Sequence, residues 1–447
     1  TERQAANDGF SWFPGGEPNW FVTQHIYSGL GHLARLGVLD LKKDQTAAGL
    51  YEKCAAYCVS EVEKSYRELE MQVQKGKTTF EKDHLNSLII QYLYAATLVQ
   101  DSKPKSDPKT GAYYLGQLEK YWLGKGLYLE GLAALALHRA GRTEAAKKIA
   151  ASLRERATIH PTLGMYWPHD GGYLWYQMPI ETQALMVEVF SEVAKDRQAV
   201  EDLRIWLLQH KQTNRWETTK TTTEAVYALL LGAGDTQKTT QLNNQKPVQI
   251  TLGEMPLNSV ETEPGTGYFK QSWSGSEVQP SWSNIAVENP NTNLVWGAAY
   301  WQYFEDLDKA KTAPNNPLSL KKALFRTENT AKGPVLTPVT EGTALKRGDQ
   351  LRVRLEIRAD RDMEFVRLKD MRAAGFEPIN VISRYRWQGN LGYYESTKDL
   401  ATHFFFDHLP RGTYVFEYPL VVAHPGDMSN GVATIQCMYA PAFTNHS

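Results

Sequence analysis

The sequence predicts a multidomain chain, α and then β: an α/α toroid, followed by a small β domain and a C-terminal antiparallel β-sandwich. One pattern predicts the helical first half of the chain, and another predicts the β-strands of the second half. Apolar residues recur at helical spacing through residues 1–240, and they alternate with period two in several segments after residue 241. A third observation predicts the toroid, because aromatic loops lead three times directly into apolar helices.

These three loop-to-helix stretches share one design. Residues 12–37, 175–186 and 214–230 each begin with a Trp-containing loop and continue into a small, apolar helix. In the third stretch, Thr221 and Glu224 predict a capping box at the start of the helix. We expect the three loops to gather at one end of the toroid, where the inner helices begin.

The remaining helices follow from the period of the apolar residues. An apolar run predicts an inner helix at 127–138, and amphipathic runs predict outer helices. The predicted helices are 47–73, 85–98, 127–138, 143–157, 180–196, 198–211 and 221–233. Residues 101–109 and 160–173 are rich in Pro, Gly and polar residues, so we expect surface loops there.

The second half of the chain predicts strands. A β domain at 241–312 has candidate strands at 245–252, 267–273, 284–288 and 294–303. The sandwich at 313–447 has candidate strands at 320–326, 351–357, 365–370, 401–406, 414–422 and 433–439, separated by turn sequences. Residues 1–240 are therefore predicted as the toroid domain and 309–317 as a linker.

Composition excludes several classes of protein. The chain has 447 residues with 49 basic and 50 acidic side chains, whereas nucleic-acid and membrane-surface proteins usually carry a basic excess. Thr1 opens on a polar stretch without an initiating Met, so we expect a processed or excised piece. The cysteines Cys54, Cys58 and Cys437 are interpreted as small buried apolar residues, with no disulfide, metal or cofactor expected.

Several motifs in the last 100 residues carry a resemblance. They are Arg-Gly-Asp at 347–349, Val-Arg-Leu-Lys-Asp at 366–370, Ala-Ala-Gly-Phe-Glu-Pro at 373–378, Phe-Phe-Phe at 404–406, Leu-Pro-Arg-Gly-Thr-Tyr at 409–414 and Met-Tyr-Ala-Pro at 438–441. Their order resembles the terminal macroglobulin-like, receptor-binding-type domain of bacterial alpha-2-macroglobulins. By this resemblance, residues 1–240 would be the thioester domain and 241–312 the C-terminal half of a CUB-like domain.

The departure from the family pattern lies early in the chain. Thioester-containing members carry Cys-Gly-Glu-Gln-Asn there, and the best match here is Gly15, Gly16, Glu17, Pro18 and Asn19. Glycine stands in place of the cysteine and proline in place of the glutamine. No Cys-x-Glu-Gln sequence occurs anywhere in the chain, so no thioester is expected.

The resemblance implies a function for the whole parent protein. It implies broad-range endopeptidase inhibition, which without a thioester would be steric, non-covalent trapping. The expected partners are proteases, through the full-length parent, and neighbouring macroglobulin-like domains, with neither nucleic acid nor a small-molecule substrate. The expected location is the bacterial periplasm or cell envelope. We expect that the chain is not an enzyme and has no catalytic residues.

Two alternatives stay open. An α/α toroid with a β-sandwich is also the architecture of polysaccharide lyases and glycoside hydrolases, for which the loops offer His169, Asp170, Tyr173, Glu181 and Glu217. The chain would alternatively be an interaction module whose contact surface is Trp12, Trp167, Trp175 and Trp216. We favour the interpretation that these rings fill the centre of the toroid.

Overall fold

Helices fill the first half of the chain and strands the second in the computed structural model. The structure describes residues 4–99, 105–168, 179–214, 216, 218–231, 246, 248–257, 269–290, 295, 297–304 and 316–447. Contacts divide the chain into two units, one formed by 1–207 and 216–296 and the other by 208–215 and 297–447. None of the helices in the described residues is long and apolar enough to cross a membrane.

Helices form most of the first unit. They are α1 (Trp20–Arg35), α2 (Gln45–Gln74), α3 (Ser87–Ala95), α4 (Pro108–Tyr121), α5 (Leu127–Arg139), α6 (Thr143–Glu155), α7 (Pro179–Val189), α8 (Arg197–Thr213) and α9 (Thr219–Leu230). A π-helical turn, Phe190–Ala194, follows α7 directly. Most predicted helices agree to within a few residues, but α4 begins in the segment predicted as a loop.

Five of these helices pack beside one another in chain order. Contacts run from α1 to α3, then to α5, α7 and α9. Helix α9 also contacts α1, because the Tyr227 ring stacks on His32 with 4.1 Å between ring centroids. Helices α5 and α7 are buried nearly all round, as helices enclosed by others must be. Their apolar side chains form one continuous core.

Short strands complete the described part of the first unit. A hairpin joins β1 (Thr158–His160) to β2 (Gly164–Tyr166), and a three-stranded sheet has the order β4 (Met255–Pro256), β3 (Gln249–Leu252), β5 (Ile285–Glu288). The predicted strand at 294–303 is wrong over 297–303, which is irregular, and the predicted strand at 267–273 is wrong over 269–273. Neither run has a partner strand there, and an unpaired strand is not stable in water.

The second unit contains two antiparallel sheets. The five-stranded sheet has the order β10 (Phe376–Pro378), β14 (Gly412–Val422), β8 (Gln350–Ala359), β6 (Leu318–Thr330), β7 (Gly333–Pro338). The six-stranded sheet has the order β11 (Arg384–Gln388), β12 (Leu391–Thr397), β13 (Ala401–Leu409), β9 (Met363–Met371), β15 (Ala433–Cys437), β16 (Thr444–His446). Alternating burial along β8 and β13 shows one inward face on each sheet.

The two sheets share one hydrophobic core. Phe404 and Phe406 of β13 point inward and contact Phe416 of β14, with ring centroids 5.7 and 5.5 Å away. Phe405 lies on the opposite face of β13, as the alternation of the sequence predicts. Lys322 of β6 adds a buried ion pair with Asp370 of β9, at 2.7 Å, between the two sheets.

Candidate functional site

The loop at 15–19 lies immediately before helix α1. Gly15, Gly16 and Glu17 are exposed, and Pro18 and Asn19 are half-buried. Gly15 has a φ of +77°, in the left-handed region that side-chain-bearing residues rarely adopt. The N–H of Gly16 donates to the carbonyl of Phe13 at 3.1 Å, which closes a tight turn. The loop therefore has a backbone suited to glycine at its first position.

Hydrogen bonds tie this loop to the start of α1. The Asn19 side chain accepts from the N–H of Val22 at 3.1 Å and caps the helix. The N–H of Asn19 donates to the carbonyl of Phe10 at 2.8 Å, and the N–H of Phe10 donates to the hydroxyl of Thr23 at 2.8 Å. Asn19 therefore acts as a structural cap in this chain.

We expect the substitution Asn19→Ala to destabilise the helical unit by about 1 kcal/mol, the usual value of an N-cap. The free energy of unfolding, measured in urea by circular dichroism at 222 nm, checks this expectation. Glu17→Ala, two residues earlier on the exposed loop, is the matched control and should change stability by less than about 0.5 kcal/mol. Equal stabilities of the two variants would contradict the capping role.

Aromatic rings extend from the loop along α1. The Trp12 ring stacks on Phe21 at 6.2 Å between centroids, and Phe21 stacks on His25 at 6.1 Å. Burial lowers the pKa of His25, and the nearby charges of Glu224 and Lys220 act on it in opposite directions. The stack therefore leads from the loop to the first turns of helix α9.

A buried polar cluster lies at the starts of helices α7 and α9. The Glu181 carboxylate accepts from the Thr221 hydroxyl at 2.9 Å and lies 3.6 Å from the Lys220 ammonium. Lys220 also lies over the Tyr128 ring at 5.8 Å. Glu181 is in the first turn of α7, where it is buried and held by these two partners.

The predicted capping box at Thr221 is wrong by three residues. Helix α9 begins at Thr219, and its N-cap is Thr218, whose hydroxyl accepts from the N–H of Thr221 at 3.0 Å. Several threonines in this run could cap the helix. The buried Glu181 carboxylate determines which of them does so. It engages the Thr221 side chain directly and leaves the cap to Thr218.

A second polar cluster centres on Glu188 of helix α7. Its carboxylate accepts from Arg139 at 2.6 Å, from the Tyr94 hydroxyl at 2.6 Å and from the Tyr227 hydroxyl at 3.1 Å, and Arg35 lies 3.7 Å away. Burial alone would raise the pKa of Glu188, but Arg139 and Arg35 outweigh it and lower the value to about 2. Glu188 is therefore ionised and fully paired at neutral pH.

The Glu188 cluster joins five helices. Arg35 and Arg139 also bind Glu192 at 2.5 and 2.7 Å, and His32 of α1 shares a 2.8 Å hydrogen bond with Tyr94 of α3. Sequence reasoning missed this cluster. Its one local signal is the pair of acidic residues Glu188 and Glu192, four apart across the end of α7 and the π-helical turn, among mostly apolar neighbours.

The C-terminal unit matches a known family of domains. Residues 318–442 match the family model described as the bacterial alpha-2-macroglobulin MG10 domain. The match covers this one domain of the chain. The prediction that the chain is a C-terminal portion of a bacterial alpha-2-macroglobulin family protein is confirmed at family level. A comparison with curated protein sequences gave no match.

Solved structures of bacterial alpha-2-macroglobulins are similar to this chain. Trypsin-activated alpha-2-macroglobulin from Escherichia coli is 14% identical, with a TM-score of 0.39 over 100% of this chain and 28% of that one. Salmonella alpha-2-macroglobulin reacted with methylamine is 15% identical, with a TM-score of 0.33 over 100% of this chain and 26% of that one. The chain thus spans little more than a quarter of the length of these two proteins.

The tryptophans predicted as a contact surface lie in different environments. Trp12 is half exposed, at 51%, and stacks on Phe21. Trp167 is buried in the helical core and its indole donates to the Leu153 carbonyl at 3.0 Å, so its predicted place on a contact surface is wrong. Trp216 is half-buried against the core. Trp175 lies outside the described residues.

The structure describes only some of the residues considered for catalysis and metal binding. Glu181 is enclosed as described, and His169, Asp170, Tyr173 and Glu217 lie outside the described residues. Among the residues that the structure describes, no group of three His, Cys, Asp or Glu side chains is arranged to hold a metal ion. The three cysteines are buried and free, and burial raises the pKa of Cys54 to about 12.

Proposed function

We propose that this chain is the C-terminal part of a thioester-lacking alpha-2-macroglobulin that inhibits a broad range of endopeptidases by steric, non-covalent trapping. One observation carries the proposal: the MG10 match at 318–442 occurs in a chain whose loop at 15–19 offers glycine and proline where bond formation needs cysteine and glutamine. Without an activated acyl group, no side chain of a protease can be acylated. The protease would then have to be held by the shape of the protein that encloses it.

The buried thiols support the same proposal. In a thioester, the cysteine sulfur is bonded to the carbonyl carbon that a glutamine three residues later provides. Residues Tyr57, Glu61 and Ala440 stand three positions after the three cysteines, so none of the cysteines has the required glutamine. Burial raises the pKa of each thiol, which keeps the thiols protonated and weakly nucleophilic.

The architecture that we propose follows the family. Helices α1, α3, α5, α7 and α9 would be the inner helices of an α/α toroid domain at 1–240, with the loop at 15–19 at its mouth. Residues 241–312 would be part of a CUB-like domain. The two sheets that share a core would form the macroglobulin-like β-sandwich at 313–447.

Within the parent protein, this portion would act as a scaffold and as a part that moves during trapping. Its partners would be proteases, reached through the longer parent protein, and neighbouring macroglobulin-like domains of that parent. The chain would not be an enzyme and would use no cofactor. Placement in the periplasm or at the cell envelope follows from the family, as does the class of protease inhibitor.

The full-length parent protein provides the test. After incubation with trypsin, we expect the protease to cleave a small peptide substrate but to lose activity on a large protein substrate. Denaturation in SDS should release the protease intact, and treatment with methylamine should leave the mass of the parent unchanged. A methylamine adduct or an SDS-resistant complex would contradict the non-covalent mechanism. Undiminished cleavage of the large substrate would contradict trapping itself.

A further inference from the structure

The outer face of the six-stranded sheet carries a row of aromatic and basic side chains. Cross-strand pairs place Tyr385 of β11 opposite Tyr394 of β12, Tyr394 opposite Phe405 of β13, and Phe405 opposite Arg367 of β9. Side chains of directly opposed residues lie on the same face of a sheet. The row therefore crosses four strands, a distance of about 14 Å at the usual strand spacing.

A tryptophan lies flat at one end of this row. Trp387 is opposite Gly392, and a Cβ added to Gly392 would be 3.0 Å from the Trp387 ring carbons. The indole therefore covers the glycine and turns its other surface to solvent, with 75% of Trp387 and 65% of Tyr385 exposed. Such a ring offers a flat, electron-rich surface on which the C–H groups of a cyclic ligand can stack.

The other end of the row is basic. The Arg367 guanidinium lies 5.9 Å from the centre of the Phe405 ring and 3.1 Å from Nδ1 of His403, and Lys369 is opposite His403. Burial and the cations Arg367 and Lys369 lower the pKa of His403. This end of the row therefore favours an anionic group.

We propose that this face of the sheet binds an acidic polysaccharide. The binding face consists of Trp387, Tyr385, Tyr394, Phe405, Arg367 and Lys369. The sugar rings stack on Trp387 and Tyr385, and a carboxylate further along the chain pairs with Arg367 and Lys369. The length of the row requires an oligomer rather than a single sugar. The site belongs to the C-terminal unit and is independent of protease trapping.

Two other polymers fit the row less well. A peptide that binds a sheet gains affinity by main-chain pairing along an exposed edge. In this row only β11 is at an edge of the sheet, and a peptide paired with it would run along β11 instead of across β12, β13 and β9. A single-stranded nucleic acid would also stack on the rings, but nucleic-acid binders usually carry a basic excess and this chain has a net charge of −1.

Isothermal titration of the full chain with oligogalacturonate at low salt tests the proposal. We expect saturable binding that weakens as salt increases, and no binding of neutral dextran. Trp387→Ala should weaken binding about tenfold, the effect of losing one stacking contact. Arg367→Ala should weaken it and flatten its salt dependence. Val335→Ala, an exposed residue on β7 of the other sheet, is the control and should bind as the original chain does.

A second variant tests the geometry of the platform. Gly392→Val should lift the indole and weaken binding while Trp387 itself is retained. Circular dichroism and thermal unfolding confirm that each variant is folded. Failure of oligogalacturonate to bind, equal binding by Trp387→Ala and the original chain, or tighter binding of polyglutamate or poly(dT) would each overturn the proposal.

Discussion

Glu188→Ala is expected to destabilise the helical unit by about 3–5 kcal/mol, the usual cost of removing one partner from a buried ion pair. The Glu188 side chain is 3% exposed and its partner Arg139 is 8% exposed. The alanine would leave the hydroxyls of Tyr94 and Tyr227 without this acceptor, and it would leave Arg139 with Glu192 alone as a partner carboxylate among the contacts described above. Urea unfolding followed by circular dichroism at 222 nm measures the loss.

The matched control is a glutamate paired at the surface. Glu119 and Arg142 are 2.7 Å apart, but their side chains are 41% and 47% exposed. Glu119→Ala should therefore cost about 0–1 kcal/mol. Similar losses for Glu119→Ala and Glu188→Ala would contradict the importance of the buried cluster.

The same residue predicts a dependence on pH. The pKa of Glu188 falls from an ordinary 4.5 to about 2 in the folded chain. The stabilisation is therefore complete above about 4.5 and is lost as pH falls through about 2. Glu188→Gln should show a shallower loss of stability over this range.

Lys322→Ala is expected to cost the C-terminal unit about 3–5 kcal/mol, because it leaves the buried Asp370 carboxylate without its ion-pair partner. Lys322 and Asp370 are 6% and 0% exposed, and the Lys322 ammonium also donates to the carbonyls of Met371 and Gly431 at 2.7 and 2.6 Å. Thermal unfolding followed by near-ultraviolet circular dichroism checks the effect.

Lys321→Ala provides the control from the neighbouring position on the same strand. Lys321 is 79% exposed and lies 4.0 Å from Glu356, so its removal should change stability by less than about 0.5 kcal/mol. Burial already raises the pKa of Asp370, and loss of Lys322 should raise it further. The Lys322→Ala variant should therefore regain stability as pH falls and Asp370 becomes neutral. A variant as stable as Lys321→Ala at neutral pH would refute this role.

The helices and strands that the sequence predicted well have a strong local period. The 30-residue α2 and the apolar α5 were predicted with ends within two residues of those observed. The start of helix α4 differs from the prediction, because the composition of residues 101–109 predicts a loop, whereas Asp107 caps the helix and Pro108 occupies its first turn. A proline indicates that a helix ends before it or begins at it, and the sequence alone did not distinguish these two cases.

The polar clusters depend on contacts that no local pattern contains. Glu188 binds Tyr94 and Arg139, which are 94 and 49 residues away in the sequence. Each residue alone resembles an ordinary polar group on a helix, and only the packing of five helices brings them together. The prediction about the loop at 15–19, by contrast, needs no such contacts, because it rests only on which residues stand there.

Gly15 has a consequence for any return to covalent chemistry. A cysteine placed there would carry its side chain on a left-handed backbone, a conformation that costs roughly 1–2 kcal/mol for an L-residue, and it would do so without a glutamine to react with. Exchanging two side chains would therefore not be enough, since the turn before helix α1 would also have to be rebuilt.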